Sequence, residues 1–485
     1  MNKNTEHVLN GLTFELHGKL PPEIESLQNN SKHVKDGDLF FAIRGTQADG
    51  HDYISHAVKN GAAAIVAEKL SKSVPIPQII VKNSRAALAL AAANFYNHPS
   101  KRLKLIGVTG TNGKTTTVYI LNQILRTAGK SRATIGTLGY SVGDTLHSLN
   151  LTTPDSIQLQ ELLATMVSQN TEYVIMEVSA HALSLNRVDN IDFLAAVFTN
   201  ISQDHLDFYK TIDNYATAKT RLFTKVSPNG FRISNADDAY HNTFKSIGNT
   251  AIYSYSISKP SDFHWNPDVE YENGINGVIQ SESHQIPIKS RLSGRFNLSN
   301  ILAAVSTAVC LGIDPKHITA ALGKIQYIPG RLQEIHKAGF PRTFIDYAHT
   351  PDAISNVLEA LRDMVPNKGK LITVFGCGGN RDRAKRPLMA RAAAASSDIT
   401  IVTTDNPRFE EPEAIINDAI AGFSPRQKYQ KIIDRREAIK FAVENGNEND
   451  IVAILGKGHE DYQDIKGKKY PFSDIQVVRE LMELK

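Results

Sequence analysis

Short, unbroken apolar runs recur along this chain, and each empties into a turn bearing glycines or acids before a helical period begins. The clearest are 105–108, 173–176, 194–198, 343–345, 371–375, 398–403 and 451–455. Runs apolar on both faces suit strands of a parallel sheet covered by helices. Between them, apolar positions three and four residues apart predict helices over 116–130, 156–168, 212–225, 301–311 and 352–363. In the first of these Val118, Leu121, Ile124 and Leu125 share a face, and Gly129 stops it. Ahead of them, 38–43, 62–67 and 78–81 read as strands, 53–60 as a short helix ending at Gly61, and 84–96 as an alanine-rich helix.

A chain of 485 residues exceeds one ordinary core and implies about three domains. The pattern places them at 1–101, 102–330 and 331–485, the last boundary at Ile328-Pro329-Gly330-Arg331, where proline and glycine read as a linker. Strand and helix alternate throughout the third, so a mostly parallel α/β sheet is expected there.

The stretch Leu105-Ile106-Gly107-Val108-Thr109-Gly110-Thr111-Asn112-Gly113-Lys114-Thr115-Thr116 is a strand, a glycine turn and a helix start. Such a turn lets backbone N–H groups and the helix's positive end face a polyphosphate. Lys114 adds a cation at the outer phosphates and Thr115 a hydroxyl for magnesium. Val108 stands where the first glycine of the general phosphate-loop pattern belongs, leaving G-T-N-G-K-T-T.

Other strands deliver chemistry at the same end. Tyr173-Val174-Ile175-Met176-Glu177 closes on an acid, whose desolvation cost argues for a cation partner, making Glu177 a candidate magnesium ligand. The 194–198 run leads to Asp204-His205-Leu206-Asp207, with His205 a second or outer-sphere ligand or a plain loop histidine. On periodicity alone Lys219 is a surface lysine. Ser31 and His51 read as solvated loop residues, and Asn297 and Asn300 either recognise a base edge or cap a helix.

In the third region the loops carrying Arg381, Arg408 and Glu460 suggest a ligand with both carboxylate and ammonium groups, most simply an amino acid. Position 381 is arginine where G-x-G-x-x-G needs glycine, so NAD is discounted.

Composition narrows the classes further. Hydrophobic content of 41% with 21% charged residues is that of a globular protein, and a net charge of +4 without an aromatic-interleaved basic run argues against nucleic acid. Cys310 and Cys377 lack metal-ligand spacing, which suits a reducing cytoplasm. No stretch approaches the roughly 20 apolar residues of a membrane span, so no membrane insertion is expected.

Taken together, G-T-N-G-K-T-T, Glu177-Val178-Ser179, Asp204-His205-Leu206-Asp207, Asn297 with Asn300, Arg331 and Asp346-Tyr347-Ala348-His349-Thr350-Pro351-Asp352 resemble the Mur ligases, ATP-dependent amino-acid ligases of peptidoglycan precursor synthesis. The likeness covers essentially the whole chain. It implies a nucleotide-sugar-binding α/β domain, a central P-loop ATPase-like domain and a C-terminal Rossmann-like domain. Gly376-Cys377-Gly378-Gly379, Asp405-Asn406-Pro407-Arg408 and Gly456-Lys457-Gly458-His459-Glu460 look like the members that add the third stem-peptide residue. In that group Asp-Asn-Pro-Arg marks meso-diaminopimelate rather than lysine.

The resemblance implies ATP contacts at Thr109, Gly110, Thr111, Asn112, Gly113, Lys114, Thr115, Asn297, Asn300, Arg331 and Asp346. UDP-MurNAc-L-Ala-D-Glu is expected at Ser31, Thr152, Thr153, Ser179 and Arg187, and diaminopimelate at Arg381, Asp405, Asn406, Pro407, Arg408, Gly456 and Glu460. Catalysis would rest on Lys114, Lys219, Glu177 and His205, with Mg2+ on Thr115, Glu177, His205 and a carbamylated Lys219. The expected enzyme is cytoplasmic and monomeric. Lys32, Ala180 and Leu185 depart from the family pattern beside the nucleotide-sugar positions. The competing readings are the lysine-adding ligase, a folylpolyglutamate synthetase and a non-catalytic P-loop nucleotide-binding regulator.

Overall fold

The computed structural model describes residues 3–45, 48–72, 74–266 and 274–483. Its strands fall into three main sheets of five, eleven and six strands, in chain order. In the first, Gln78–Ile80, Ala64–Ala67, Leu39–Phe41 and Leu27–Gln28 run parallel, with Glu15–His17 antiparallel at one edge. The Ser84–Phe95 helix seats Leu88, Ala91 and Ala92 against Leu39, Phe41, Val66 and Ile79. Asn83 caps it, accepting from the N–H groups of Arg85 and Ala86, both at 3.0 Å. The short helix expected over 53–60 is a 3-10 turn, Gly50–Tyr53, running into Ile54–Lys59.

In the central sheet the Lys104–Thr109 strand lies between Tyr173–Glu177 and Phe193–Phe198, all parallel. Helices Lys114–Thr127, Arg295–Cys310 and Pro315–Lys324 cover one face through Ile120, Leu121, Ile301, Val305 and Leu322. Leu159, Leu163 and Met166 of Ser156–Ser168 cover the other. Fully burying one such Leu or Ile contributes about 1.5–3 kcal/mol, so these two layers clamp the strand that leads into the glycine turn.

Two helices differ from the sequence reading. One ends at Thr220 and continues only as a 3-10 turn, Phe223–Lys225. The other starts at Arg295 rather than 301, which puts Asn297 and Asn300 inside its first turns. Gly294, with φ +90°, makes the entry.

The third sheet has the order Gln333–Ile335, Arg342–Asp346, Ile451–Leu455, Leu371–Cys377, Ile399–Thr404, Tyr429–Lys431. All strands are parallel except the first, as the alternation of strand and helix predicts. Helices Pro351–Arg362, Lys385–Ser396 and Pro412–Ile420 pack on one face, Arg435–Glu444 and Asp474–Leu481 on the other. Strand Ile451–Leu455 inserts between Arg342–Asp346 and Leu371–Cys377, so successive connections diverge around it. The crevice at the carboxyl ends therefore lies where ligands bind in open parallel sheets.

Candidate active site

That crevice faces the glycine turn of the central domain across one cavity of about 1570 Å³. The turn needs both its glycines. A Cβ on Gly110 would lie 1.9 Å from Thr199 Oγ1, and one on Gly113, at φ +85°, would lie 2.2 Å from Asn300 Oδ1. Thr109 is buried at the base of the turn, while Thr111, Asn112, Gly113, Lys114 and Thr115 line the cavity.

Lys114 Nζ donates back to the carbonyls of Gly110 and Thr111 at 2.9 and 2.8 Å. Lys219 Nζ donates to the same Gly110 carbonyl at 2.8 Å and lies 4.4 Å from the Tyr215 ring centroid. At 1% exposure Lys219 is not the surface residue its periodicity suggests, because its helix turns that face toward the phosphate loop. Burial, reinforced by the Lys114 charge, drives its pKa well below the ordinary lysine value. Burial lowers Lys114 as well, opposed by Glu177 and Asp204.

Glu177 is buried at its strand end and accepts from Thr137, by the backbone N–H at 2.8 Å and the hydroxyl at 3.1 Å. Thr137 Oγ1 meets Thr152 Oγ1 at 3.1 Å. Thr153 Oγ1 donates to the Glu177 carbonyl at 2.9 Å and accepts from the Ser179 N–H at 3.1 Å, while Arg187 Nη1 donates to the Thr153 carbonyl at 2.9 Å. Thr152, Thr153, Ser179 and Arg187 thus form one connected patch beside Glu177. Ser31 stands apart in the first domain, bonded to His56 Nδ1 at 3.0 Å. Neither it nor His51 is a solvated loop residue. Ser31 is 6% exposed, and His51 pairs with Asp49 and accepts from the Glu68 N–H.

His205 caps the short Leu206–Tyr209 helix at φ +56°. Burial, only partly opposed by Asp204, pushes its pKa down to about 3, leaving a neutral imidazole at neutral pH. Asp204 pairs across the domain junction with Lys385 at 3.3 Å. Burial raises this carboxyl, but Lys385 and His205 outweigh it and hold it below the usual range. Among the described residues no group of three or more His, Cys, Asp or Glu side chains converges as a metal site.

Further bonds cross the same junction. Arg331 Nη2 donates to Thr115 Oγ1 at 2.9 Å with its guanidinium 4.6 Å from the Tyr347 ring centroid, and Asn112 Nδ2 donates to Asp352 at 3.0 Å. His459 Nε2 meets the Thr137 carbonyl at 3.2 Å. Asp346 is buried and accepts from the N–H groups of Leu332 and Ala348 at 2.6 and 2.7 Å. Asn300 lines the cavity, whereas Asn297 is buried and donates to the Ser293 carbonyl at 2.8 Å.

On the far wall Arg381, Asp405, Asn406, Arg408, Gly456 and Glu460 come together from three separate loops. Asn406 Nδ2 donates to Glu460 at 2.8 Å, and Lys457, fully buried, donates to Glu460 and to Asn406 Oδ1 at 3.0 and 3.3 Å. A Cβ on Gly456 would lie 2.5 Å from Asp405 Oδ2. Pro407 does not line the cavity, and its carbonyl abuts Gly379.

Thr137, Lys385 and Lys457 were not singled out from sequence. Thr137 sits in a polar hairpin entry, and Lys385 lies within Arg381-Asp382-Arg383-Ala384-Lys385-Arg386, which reads as a solvated charge run.

The glycine turn and the wall bearing Arg381, Arg408 and Glu460 thus face each other across one cavity at the domain junction. Residues 23–96 match the Mur ligase family, catalytic domain, residues 108–308 the Mur ligase middle domain, and residues 330–458 the Mur ligase, glutamate ligase domain. The UDP-N-acetylmuramoyl-L-alanyl-D-glutamate--2,6-diaminopimelate ligase of Syntrophomonas wolfei is 41% identical over 481 residues, 98% of each chain. That of Aquifex aeolicus is 45% identical over 463 residues, 95% of this chain and 94% of its own. A solved structure of a ligase of that name, 31% identical, aligns over 100% of this chain and 99% of its own with a TM-score of 0.68. The MurF ligase of Thermotoga maritima in complex with ADP, 20% identical with a TM-score of 0.62 over 95% of this chain and 97% of its own, shares the fold. The chain belongs to the Mur ligase family and is an ATP-dependent ligase. Among the described residues no helix is long and apolar enough to cross a membrane.

Proposed function

We propose that this protein adds meso-diaminopimelate to the D-glutamyl side-chain carboxylate of UDP-MurNAc-L-Ala-D-Glu, consuming ATP through an acyl phosphate. The observation that carries the reading is a single cavity with Lys114 and Lys219 on one wall and Arg381, Arg408 and Glu460 on the other.

A carboxylate resists attack by an amine until its oxygen becomes a good leaving group. Transfer of the terminal phosphoryl group of ATP to that oxygen supplies one. The amine nitrogen then bonds to the carbonyl carbon, the tetrahedral intermediate expels phosphate, and the nitrogen gives up its proton to leave the amide. Lys114 and the backbone N–H groups of 113–115 hold the phosphates and offset charge developing on the transferred group. Thr152, Thr153, Ser179 and Arg187 hold the UDP-linked dipeptide near Glu177, with Ser31 reaching it from the first domain. Asn297, Asn300, Arg331 and Asp346 serve the adenosine side, Asn297 by setting the start of the helix that presents Asn300.

Thr115 and Glu177 offer the hydroxyl and carboxylate oxygens that suit magnesium, which takes one or two protein carboxylates and fills the rest of its shell with water and substrate phosphates. Thr115, Glu177, His205 and Lys219 would hold it, and it would neutralise phosphate charge. Lys219 suits carbamylation, since a buried amine kept neutral can add to CO2 with loss of a proton. Glu460 and Asn406, set by Lys457, receive the amino-acid centre of diaminopimelate together with Asp405 and the backbone at Gly456. Arg381 and Arg408, the latter placed by Pro407, take the carboxylates. We take the enzyme to be a cytoplasmic monomer.

The test is ADP release measured against an amino-acid panel. It should require both UDP-MurNAc-L-Ala-D-Glu and diaminopimelate. ATP hydrolysis without either would indicate a regulator, and a preference for lysine the lysine-adding ligase.

A further inference from the structure

Behind the loops carrying Arg381 and Arg408, and outside the cavity, lies a third arginine in the first turn of the Lys385–Ser396 helix. The Arg386 side chain is 1% exposed. Its Nη1 and Nη2 donate to the two oxygens of Glu410 at 2.9 and 2.8 Å, the planar fork that only guanidinium offers. Nη1 also donates to Asp418 at 2.8 Å and Nη2 to the Gly378 carbonyl at 3.2 Å.

Gly378 and Glu410 belong to two of the loops that frame the amino-acid site, while Asp418 lies on the Pro412–Ile420 helix behind them. Gly378 precedes Gly379, whose carbonyl accepts from Arg408 Nη1 at 2.8 Å. Glu410 lies two residues beyond Arg408 and also accepts from the Asn380 N–H. The Gly379 N–H donates to the Asn406 carbonyl at 2.9 Å, and the Phe409 N–H donates to Asn380 Oδ1 at 3.0 Å. Arg408 itself is held at φ +53°, a conformation that costs energy for a non-glycine residue and persists only where its surroundings enforce it. Two enforcing contacts are to the neighbouring hairpin, where the Arg408 N–H donates to the Asp464 carbonyl at 2.9 Å and the Arg408 carbonyl accepts from the Lys466 N–H at 2.7 Å. A third is Glu410 on Arg386.

Burying a charged group is costly, and an apolar side chain of similar volume would fill this space without that cost. What such a side chain lacks is donors for both loops at once. We propose that Arg386, with Glu410, is a positioning residue that sets the placement of Arg408 relative to Arg381, and thereby the selectivity for an amino acid bearing a second carboxylate. The proposal rests on the function given above and deepens it.

The experiment compares wild type with Arg386→Lys, which keeps the charge but loses the fork, and with Glu410→Gln, at a position exposed enough to tolerate the change. Thermal unfolding, KM for all three substrates and kcat/KM for diaminopimelate and lysine are measured in each. KM for diaminopimelate is expected to rise and the diaminopimelate-to-lysine ratio to fall by about tenfold or more, as displacement of a positioned group does. KM for ATP and for the UDP-linked dipeptide should stay at wild-type values. Lower unfolding temperatures with an unchanged ratio would mean that the cluster only stabilises the fold, and would overturn the proposal. Glu410→Gln decides alone if Arg386→Lys does not fold. A wild type that uses no diaminopimelate refutes the functional reading itself, whereas a selective wild type with equally selective variants refutes only the clamp.

Discussion

Replacing Lys219 by methionine separates catalysis from folding, because the two effects run in opposite directions. Methionine matches the length and volume of the lysine stem, so the packing of a residue only 1% exposed should survive. The variant loses the hydrogen bond from Nζ to the Gly110 carbonyl, worth about 1 kcal/mol. Against this, an amine whose pKa is driven well below the lysine value by burial and by Lys114 no longer has to be buried. The folded state disfavours protonation here and the unfolded state does not, so wild type carries a folding cost below the ordinary lysine pKa that fades as pH rises toward it. Lys219→Met should therefore unfold within about 1 kcal/mol of wild type or be more stable at neutral pH. Its advantage should shrink at alkaline pH. Activity should fall on the order of 10³-fold, the scale for removing one preorganised charge-stabilising group. The assays are ADP release in buffers with and without bicarbonate, and thermal unfolding across pH. Near-normal turnover in Lys219→Met, or wild-type activity indifferent to bicarbonate removal, would refute the role assigned to this lysine.

Arg408→Ala should cut the preference for diaminopimelate over lysine by about 10²-fold, read as a ratio of kcat/KM. One of its N–H groups is already spent on Gly379, and two remaining charge-assisted bonds at about 1.5 kcal/mol each set that scale. Lys114→Ala should lose at least about 10²-fold in ATP-dependent product formation with the unfolding temperature nearly unchanged, since this lysine bonds only to its own loop; normal turnover would remove the phosphate-loop assignment. His459, whose pKa burial and the Arg331 charge push down to about 4, stays neutral in the fold but titrates near 6.5 when unfolded. Stability should therefore decline as pH falls from 6.5 to 4, and His459→Gln should flatten that decline in pH-dependent denaturation.

Apolar runs with glycine or acidic exits were legible from residues alone, and with them the parallel sheet of the third domain and the phosphate loop. Such features arise within a dozen consecutive residues. The outer strands of the central sheet were not legible. Gly139–Val142 and Phe263–Asn266 are only four residues long, and Thr145–His147 is three residues exposed throughout, too short for an alternation to be recognised. The early start of the Arg295–Cys310 helix was hidden for a similar reason, its first turn being Arg-Phe-Asn-Leu-Ser-Asn rather than an apolar stripe.

Residue type and local order settled which side chains could do chemistry here: a lysine after a glycine turn, an acid at a strand end, an arginine after Asp-Asn-Pro. Which of them meet was a matter of long-range packing. Lys219 lies 109 residues from the Gly110 carbonyl it bonds, Lys385 lies 181 from Asp204, and Arg331 lies 216 from Thr115. No periodicity encodes such distances. Lys219 and Arg386 look solvated in sequence because charge normally is. Only in the fold is each of these side chains buried, against partners that offset the cost of burying charge.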